Sequence, residues 1–307
     1  MRLGSDHVRV RVPATSANLG PGFDSMGLAL AHYDTIEIRA LGSAEVSVEV
    51  TGEGAGELPT GEDHLIVQAI RAALDEVGAP QVGLHLVCEN RIPHGRGMGS
   101  SAAAVVAGIL AVRMLIGDPT MLGNTRAFRI ATKFEGHPDN AAPAILGGAT
   151  VSWTGADGPH ATVLPVHPDV VPVLLVPEQR CATRTARGVL PPTVPHADAA
   201  FTAGRAALLV QALSHRPELL YEATAERLHQ EYRAQVMPET WQLVRALRDA
   251  GQAAVISGAG PSVLVLERAA DGDAGALVRK EILASVTGAW SVLMPGIATA
   301  GAIAERL

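Results

Sequence analysis

Early in the chain Val8, Val10 and Val12 alternate with Arg9 and Arg11, and later Ile36 and Ile38 alternate with Glu37 and Arg39. A period of two sends successive side chains to opposite faces, so both segments predict half-buried strands, and Val46, Val48 and Val50 predict a third. The period then lengthens. Leu65, Ile66, Ala69, Ile70, Ala73 and Leu74 recur at spacings of three and four, which gathers them on one face of a helix over 63–77 that Gly78, Ala79 and Pro80 end. Residues 82–87 read as strand again, 102–115 as a second helix rich in helix formers, 125–134 as a third, and 145–153 as strand. Beyond Pro165 and Pro168 comes a short buried strand over 170–176. The remainder alternates helices over 197–213, 238–250 and 274–285 with strands over 253–256, 263–266 and 291–294, without internal repeats. The expected class is α+β, helices packed against mixed or antiparallel sheets, divided into units 1–165 and 166–307.

The stretch Arg91 to Ala104, RIPHGRGMGSSAAA, falls between a predicted strand and a predicted helix. The start of a helix leaves backbone N–H groups unpaired and carries partial positive charge, so glycines that let the backbone approach closely make it a phosphate cradle. Taken alone, the same residues also describe a serine-capped turn. No lysine follows the glycines, which excludes the Walker A pattern. Gly97 to Ala102 satisfies G-x-G-x-x-A, but Asp118, about 20 residues on, follows a helix rather than a strand, so a dinucleotide site is the lesser reading.

Composition narrows the partner. With 48% hydrophobic residues in 307, the chain can bury a sizeable core. It has 24 Lys plus Arg against 31 Asp plus Glu, a formal charge of -7 without a basic block, which lacks the footprint of a nucleic-acid binder and points to a small molecule. Cys88 and Cys181 stand apart from each other and from any Cys/His cluster, which suits a reducing compartment and simple packing. MRLGSDHVRV has no apolar signal core, and the longest apolar run, Ala102 to Val112, is far short of the roughly 20 residues of a membrane span. A cytoplasmic protein without membrane contact is expected.

Further motifs give the glycine loop its context: PATSANLGPGFD (Pro13 to Asp24), EGHPDN (Glu135 to Asn140), Thr183 to Arg187, LHQEYR (Leu228 to Arg233) and SGAGPS (Ser257 to Ser262). With these and IPHGRGMGSSAAA, the chain resembles the GHMP kinase superfamily and, within it, the homoserine kinase family. The resemblance implies a two-domain kinase that uses ATP and Mg²⁺ to phosphorylate L-homoserine to O-phospho-L-homoserine, a step towards threonine. Because relatives are commonly dimers, a homodimer is expected too. ATP would lie on Pro93, His94, Gly95, Arg96, Gly97, Met98, Gly99, Ser100, Ser101 and Ala102, with His64 near the adenine where relatives often carry asparagine.

Phosphoryl transfer needs the triphosphate held, its charge neutralised, and the acceptor hydroxyl placed in line. Glu135, the only acidic residue between Asp118 and Asp139, is the candidate Mg²⁺ carboxylate, assisted by Ser100 or Ser101, although Lys133 would sit awkwardly beside the metal. His137 and Asp139 alone are too few ligands for zinc. The resemblance places their turn, with Asn140, at the acceptor hydroxyl, where Asp139 is either general base or orienter. Asn18 and Asp24, which could also merely cap their loop, would supply polar groups for the acceptor, and Arg187 and Arg233, with Thr183 one turn before Arg187, would take its carboxylate through guanidinium forks. Two rivals stand beside this reading: a kinase for another small alcohol, and a nucleotide-binding sensor without catalysis.

Overall fold

A computed structural model describes residues 3–285 and 288–307. The alternating segments become β1 (His7–Ala17), β2 (Met26–Leu41), β3 (Val46–Gly52) and β4 (Gly83–Asn90), joined in the same sheet by β5 (Ala149–Gly155) and β6 (Gly158–Leu164). β1 runs antiparallel to β2 with Val8 opposite Ile38 and Val10 opposite Ile36, and β2 antiparallel to β4 with Ile38 opposite Leu86. The apolar members of the β1 and β2 alternations therefore face one side and are fully buried or nearly so, while in β3 Val48 is buried and Val46 and Val50 are half-buried.

That side is covered by helices α1 (Leu65–Glu76), α2 (Ser100–Leu115), α3 (Asn124–Glu135) and α4 (Ala141–Leu146). α2 packs on β1 while α1, α3 and α4 flank it, so it needs apolar residues all round. Its buried set from Ala102 to Leu115 supplies them.

The second sheet has the order β10-β7-β9-β8, with β7 (Val170–Pro177), β8 (Ala254–Ile256), β9 (Val263–Arg268) and β10 (Trp290–Leu293). Around it lie α5 (Thr183–Gly188), α6 (His196–Ser214), α7 (Leu220–Ala223), α8 (Gln230–Arg233), α9 (Pro238–Asp249) and α10 (Gly272–Ser285). Among the described residues no helix is long and apolar enough to cross a membrane.

Two expectations differ from this architecture. The strand expected over 145–153 begins only at Ala149: residues 141–146 are helical, and Gly147 and Gly148, both at positive φ (78° and 64°), separate helix from strand. The boundary between 165 and 166 falls between the sheets, but β11 (Ile303–Arg306) returns to pair with β1. A contiguous unit 166–307 thus includes a strand of the first sheet.

Both cysteines are free. Cys88 is buried opposite Ile36, and burial pushes its thiol up to about 12, which makes it a packing residue.

Candidate active site

An open cleft of about 710 Å³ lies between the two sheets. Its floor is the start of α2, where Gly99 caps the helix in the left-handed region (φ 69°) without any side-chain hydrogen bond. The first-turn N–H groups are therefore available to an anion. Gly95, Gly97, Gly99, Ser100 and Ser101 line the cleft. The glycines also serve packing: a Cβ on Gly97 would fall 2.2 Å from the Ser257 carbonyl, and one on Gly99 1.9 Å from Thr15 Oγ1. Gly99 thus lets the loop close on β1.

Other residues of the loop turn elsewhere. Met98 is a core side chain at 1% exposure, and its carbonyl accepts the Thr15 N–H at 3.0 Å. Ala102 is buried inside α2. Arg96 donates to the Pro177 and Glu178 carbonyls at 2.9 and 3.0 Å and lies 3.6 Å from Glu53, so its guanidinium ties the loop to β7 and lines a separate groove with Pro93. Of the expected nucleotide-binding residues, Pro93, Arg96, Met98 and Ala102 are therefore not among those that line this cleft.

His64 and His94 line a second cavity of about 750 Å³ walled by Ile36, Leu58, Pro59, Leu65, Ile66 and Ala104, which meets the first at Ser100 and Ser101. His64 caps α1: its Nδ1 accepts the Ile66 N–H at 3.3 Å. The proton of the neutral ring is then on Nε2, a buried donor without a protein partner. Burial holds the His64 pKa below the ordinary histidine value.

At the far end of the cleft, the turn after α3 brings Glu135, His137, Asp139 and Asn140 together. Glu135, the last residue of α3, accepts a hydrogen bond from Ser101 Oγ at 2.7 Å. Of the two serines expected to assist it, Ser101 is the one hydrogen-bonded to Glu135, while Ser100, also a candidate for the metal, lines the cleft beside it. Burial raises the Glu135 pKa against the opposing pull of the Ser101 hydrogen bond. Lys133 faces away, lining a surface groove with Glu76 and Arg129. Asp139 is 1% exposed and its Oδ1 lies 2.6 Å from His137 Nδ1. Burial disfavours the His137 cation, but the hydrogen bond and charge of Asp139 outweigh it and raise the His137 pKa. Asn140 is held by Thr15, whose hydroxyl donates to Asn140 Oδ1 at 2.8 Å.

The two arginines come from short helices, α5 and α8, that close over the cleft from the second sheet. Arg187, which lines the cleft, pairs with Asp24 through two hydrogen bonds, 3.1 and 2.5 Å, so these expected acceptor ligands are already each other's partners. Thr183 opens α5, exposed at the cleft edge. Arg233 is 1% exposed, donates to the Gly258 carbonyl at 2.7 Å, and has its pKa lowered to about 10, chiefly by burial and next by Arg187. Asn18 Nδ2 donates to the same carbonyl at 2.9 Å, and Asn18 Oδ1 accepts the Asp24 N–H at 2.9 Å.

Sequence reasoning passed over Phe23, whose ring lies 5.6 Å from the Arg187 guanidinium and 5.9 Å from that of Arg233. Gly258, Ala259 and Gly260 of the SGAGPS motif line the cleft without having been assigned a site role, as do Ala182 and Cys181, which was expected only to pack. The SGAGPS motif was the available signal for the glycines.

The GHMP kinases N terminal domain family matches residues 64–148, and the GHMP kinases C terminal family residues 206–282. A homoserine kinase of Clavibacter michiganensis subsp. michiganensis is 49% identical over 300 residues, 97% of this chain and 94% of that one. One of Streptomyces coelicolor is 53% identical over 267 residues, 87% and 86% of the two chains. This chain belongs to the homoserine kinase family.

The crystal structure of homoserine kinase from Cytophaga hutchinsonii superposes with a TM-score of 0.84 at 25% identity, covering 99% of both chains. Mevalonate diphosphate decarboxylase from Staphylococcus aureus, at 15% identity and a TM-score of 0.70, shares the fold. Within this homoserine kinase family member, the 18–24 segment and β11 lie outside both matched regions.

Proposed function

We propose that the chain transfers the γ-phosphoryl group of ATP to the side-chain hydroxyl of L-homoserine, giving ADP and O-phospho-L-homoserine. The observation that carries this reading is the charge layout in and beside the cleft: an uncapped helix start at one end and, at the other, Arg233 and Arg187 with its partner Asp24, close to the Asp139–His137 pair of the 137–140 turn. A zwitterionic amino acid with a hydroxyl meets that layout group by group. Its carboxylate suits the two guanidiniums, and its ammonium suits Asp24.

The triphosphate lies along residues 95–101, and the adenine enters the second cavity, where the His64 Nε2–H offers one donor to a ring nitrogen. Mg²⁺ keeps few protein ligands and shares the rest with phosphates and water. Glu135 with the Ser101 hydroxyl fits that demand, and among the described residues no group of three or more His, Cys, Asp or Glu forms a fuller cage. Bound there, Mg²⁺ neutralises charge on the phosphates.

Asp139 Oδ1 is taken by His137, which leaves Oδ2 to accept a hydrogen bond from the acceptor hydroxyl. A loose transition state makes little demand for early proton removal, so Asp139 first orients the hydroxyl and takes its proton late.

The test is ADP release from the purified protein with ATP, Mg²⁺ and a panel of alcohols. L-Homoserine should stimulate it far more than L-serine, L-threonine or mevalonate. Equal rates with mevalonate would return the reading to another acceptor, and no release with any alcohol would favour the silent sensor.

A further inference from the structure

We infer that His229, which lies outside the cleft, is a positioning residue that holds the 18–24 segment in the shape that presents Asn18 and Asp24 to the acceptor. The inference rests on the homoserine reading above for the role of that segment.

The segment does not hold its shape by local preference. Asn18, Leu19 and Asp24 all occupy the left-handed region, at φ 70°, 49° and 55°. Leucine avoids that region and Asn or Asp enters it as a single residue, so the consecutive Asn18 and Leu19, with Asp24 close by, persist where surrounding structure over-determines them. Asn18 braces one end through Gly258 and Asp24. The middle is braced by His229, whose Nε2 lies 2.8 Å from the Gly20 carbonyl and whose ring stacks on Phe23 at 4.9 Å.

The histidine is a costly choice for plain packing. It is fully buried, and a carbonyl only accepts, so Nε2 carries the proton. Burial, partly opposed by nearby Glu226, lowers its pKa, and the Nδ1 of the neutral ring is then a buried acceptor without a partner. An apolar ring would fill the same space without that orphan. What histidine adds is the N–H aimed at Gly20. The residue is itself fixed, because Glu226 accepts hydrogen bonds from the backbone N–H groups of Leu228, His229 and Gln230 at 2.5, 3.0 and 2.8 Å. Its carbonyl in turn accepts the Arg233 N–H at 3.3 Å, so the same anchor sets the helix that carries the buried arginine.

The test compares His229→Phe, which keeps a ring but loses the donor, with His229→Gln, which keeps an N–H at similar reach. His229→Phe should raise the homoserine KM at least tenfold with the ATP KM within twofold, and His229→Gln should stay within threefold of the parent for both. In a double-mutant cycle, His229→Phe and Asp24→Asn should raise the homoserine KM together by much less than the product of their separate effects. A homoserine KM within twofold in His229→Phe, a parallel rise in both KM values, or a Gln variant no better than Phe would overturn the inference. So would a Phe variant that fails to fold beside a folded Gln variant, because His229 would then be a core residue only. The homoserine reading itself is judged on the parent's alcohol panel, whereas this inference is judged on variant-to-parent ratios with whichever acceptor the parent turns over.

Discussion

Removing the Arg233 guanidinium should damage acceptor binding while leaving the fold intact. Arg233 has lost nearly all its water, and among the described residues the one hydrogen bond of its guanidinium is to a neutral carbonyl. Its pKa of about 10 against the ordinary 12.5 corresponds, at 1.36 kcal/mol for each pH unit, to about 3 kcal/mol held against the charge. A substrate carboxylate would relieve that burden, which is why an under-solvated arginine makes a strong anchor. Losing one partner of a buried charge pair costs roughly 2–5 kcal/mol, or about 30-fold to a few thousand-fold in affinity, against about fivefold or less for an exposed arginine. Arg233→Met should therefore raise the homoserine KM at least 30-fold with the ATP KM unchanged. Steady-state ADP release at saturating concentrations of the other substrate measures both.

Stability supplies the control. The Gly258 carbonyl keeps its hydrogen bond from Asn18 when Arg233 is removed, and replacing a buried charge by an apolar side chain of similar volume is commonly neutral or stabilising. The urea midpoint of Arg233→Met should be no lower than the parent's. A variant that loses stability but keeps its homoserine KM within twofold would refute the anchor and make Arg233 a brace for the Gly258 loop.

Three further outcomes follow from the geometry. Glu135→Gln should raise the Mg²⁺ concentration needed for half-maximal rate, whereas Asp139→Asn should lower the rate at saturating Mg²⁺; rescue of Asp139→Asn but not Glu135→Gln by added Mg²⁺ would reverse the two roles. Gly99→Ala should lower the urea midpoint, because its Cβ would meet Thr15 Oγ1 at 1.9 Å and the left-handed backbone penalises any side chain; an unchanged midpoint would mean that β1 and the loop are not in contact. His64 has a folded pKa below its unfolded value, so its contribution to stability is fully present above about pH 6.5 and is lost as pH falls through the folded pKa; His64→Asn should lose less stability between about pH 7 and pH 5 than the parent does in chemical denaturation.

The long elements were legible because burial leaves its period in the sequence. β1, β2, α1 and α9 each have one apolar and one polar face, and α2 announces itself by being apolar on every face. α5 and α8 were not legible: TRTARG and QEYR are too short and polar to show a period, and tertiary closure over the cleft fixes them. β11 was missed for the same reason, being four residues long at a sheet edge. Residue types at the site were readable from the motifs, but pairings were not. That Ser101 rather than Ser100 faces Glu135 depends on the rotation of α2, and that Arg187 meets Asp24 depends on two sheets closing across 163 residues.

The two ends of the cleft are made of different materials, and this bears on how one fold serves several acceptors. The phosphate end is largely backbone: positive-φ glycines and an uncapped helix start. Such a site depends on chain path rather than on side-chain identity. The acceptor end is made of side chains, with Asp24 beside the first sheet and Arg187 and Arg233 beside the second. Exchanging those side chains alters the charge pattern offered to the acceptor without rebuilding the loop that holds the donor. On the proposed homoserine reading, acceptor choice would therefore rest on a few charged residues and the braces that aim them, and it is there, rather than in the glycine loop, that changes of specificity should concentrate.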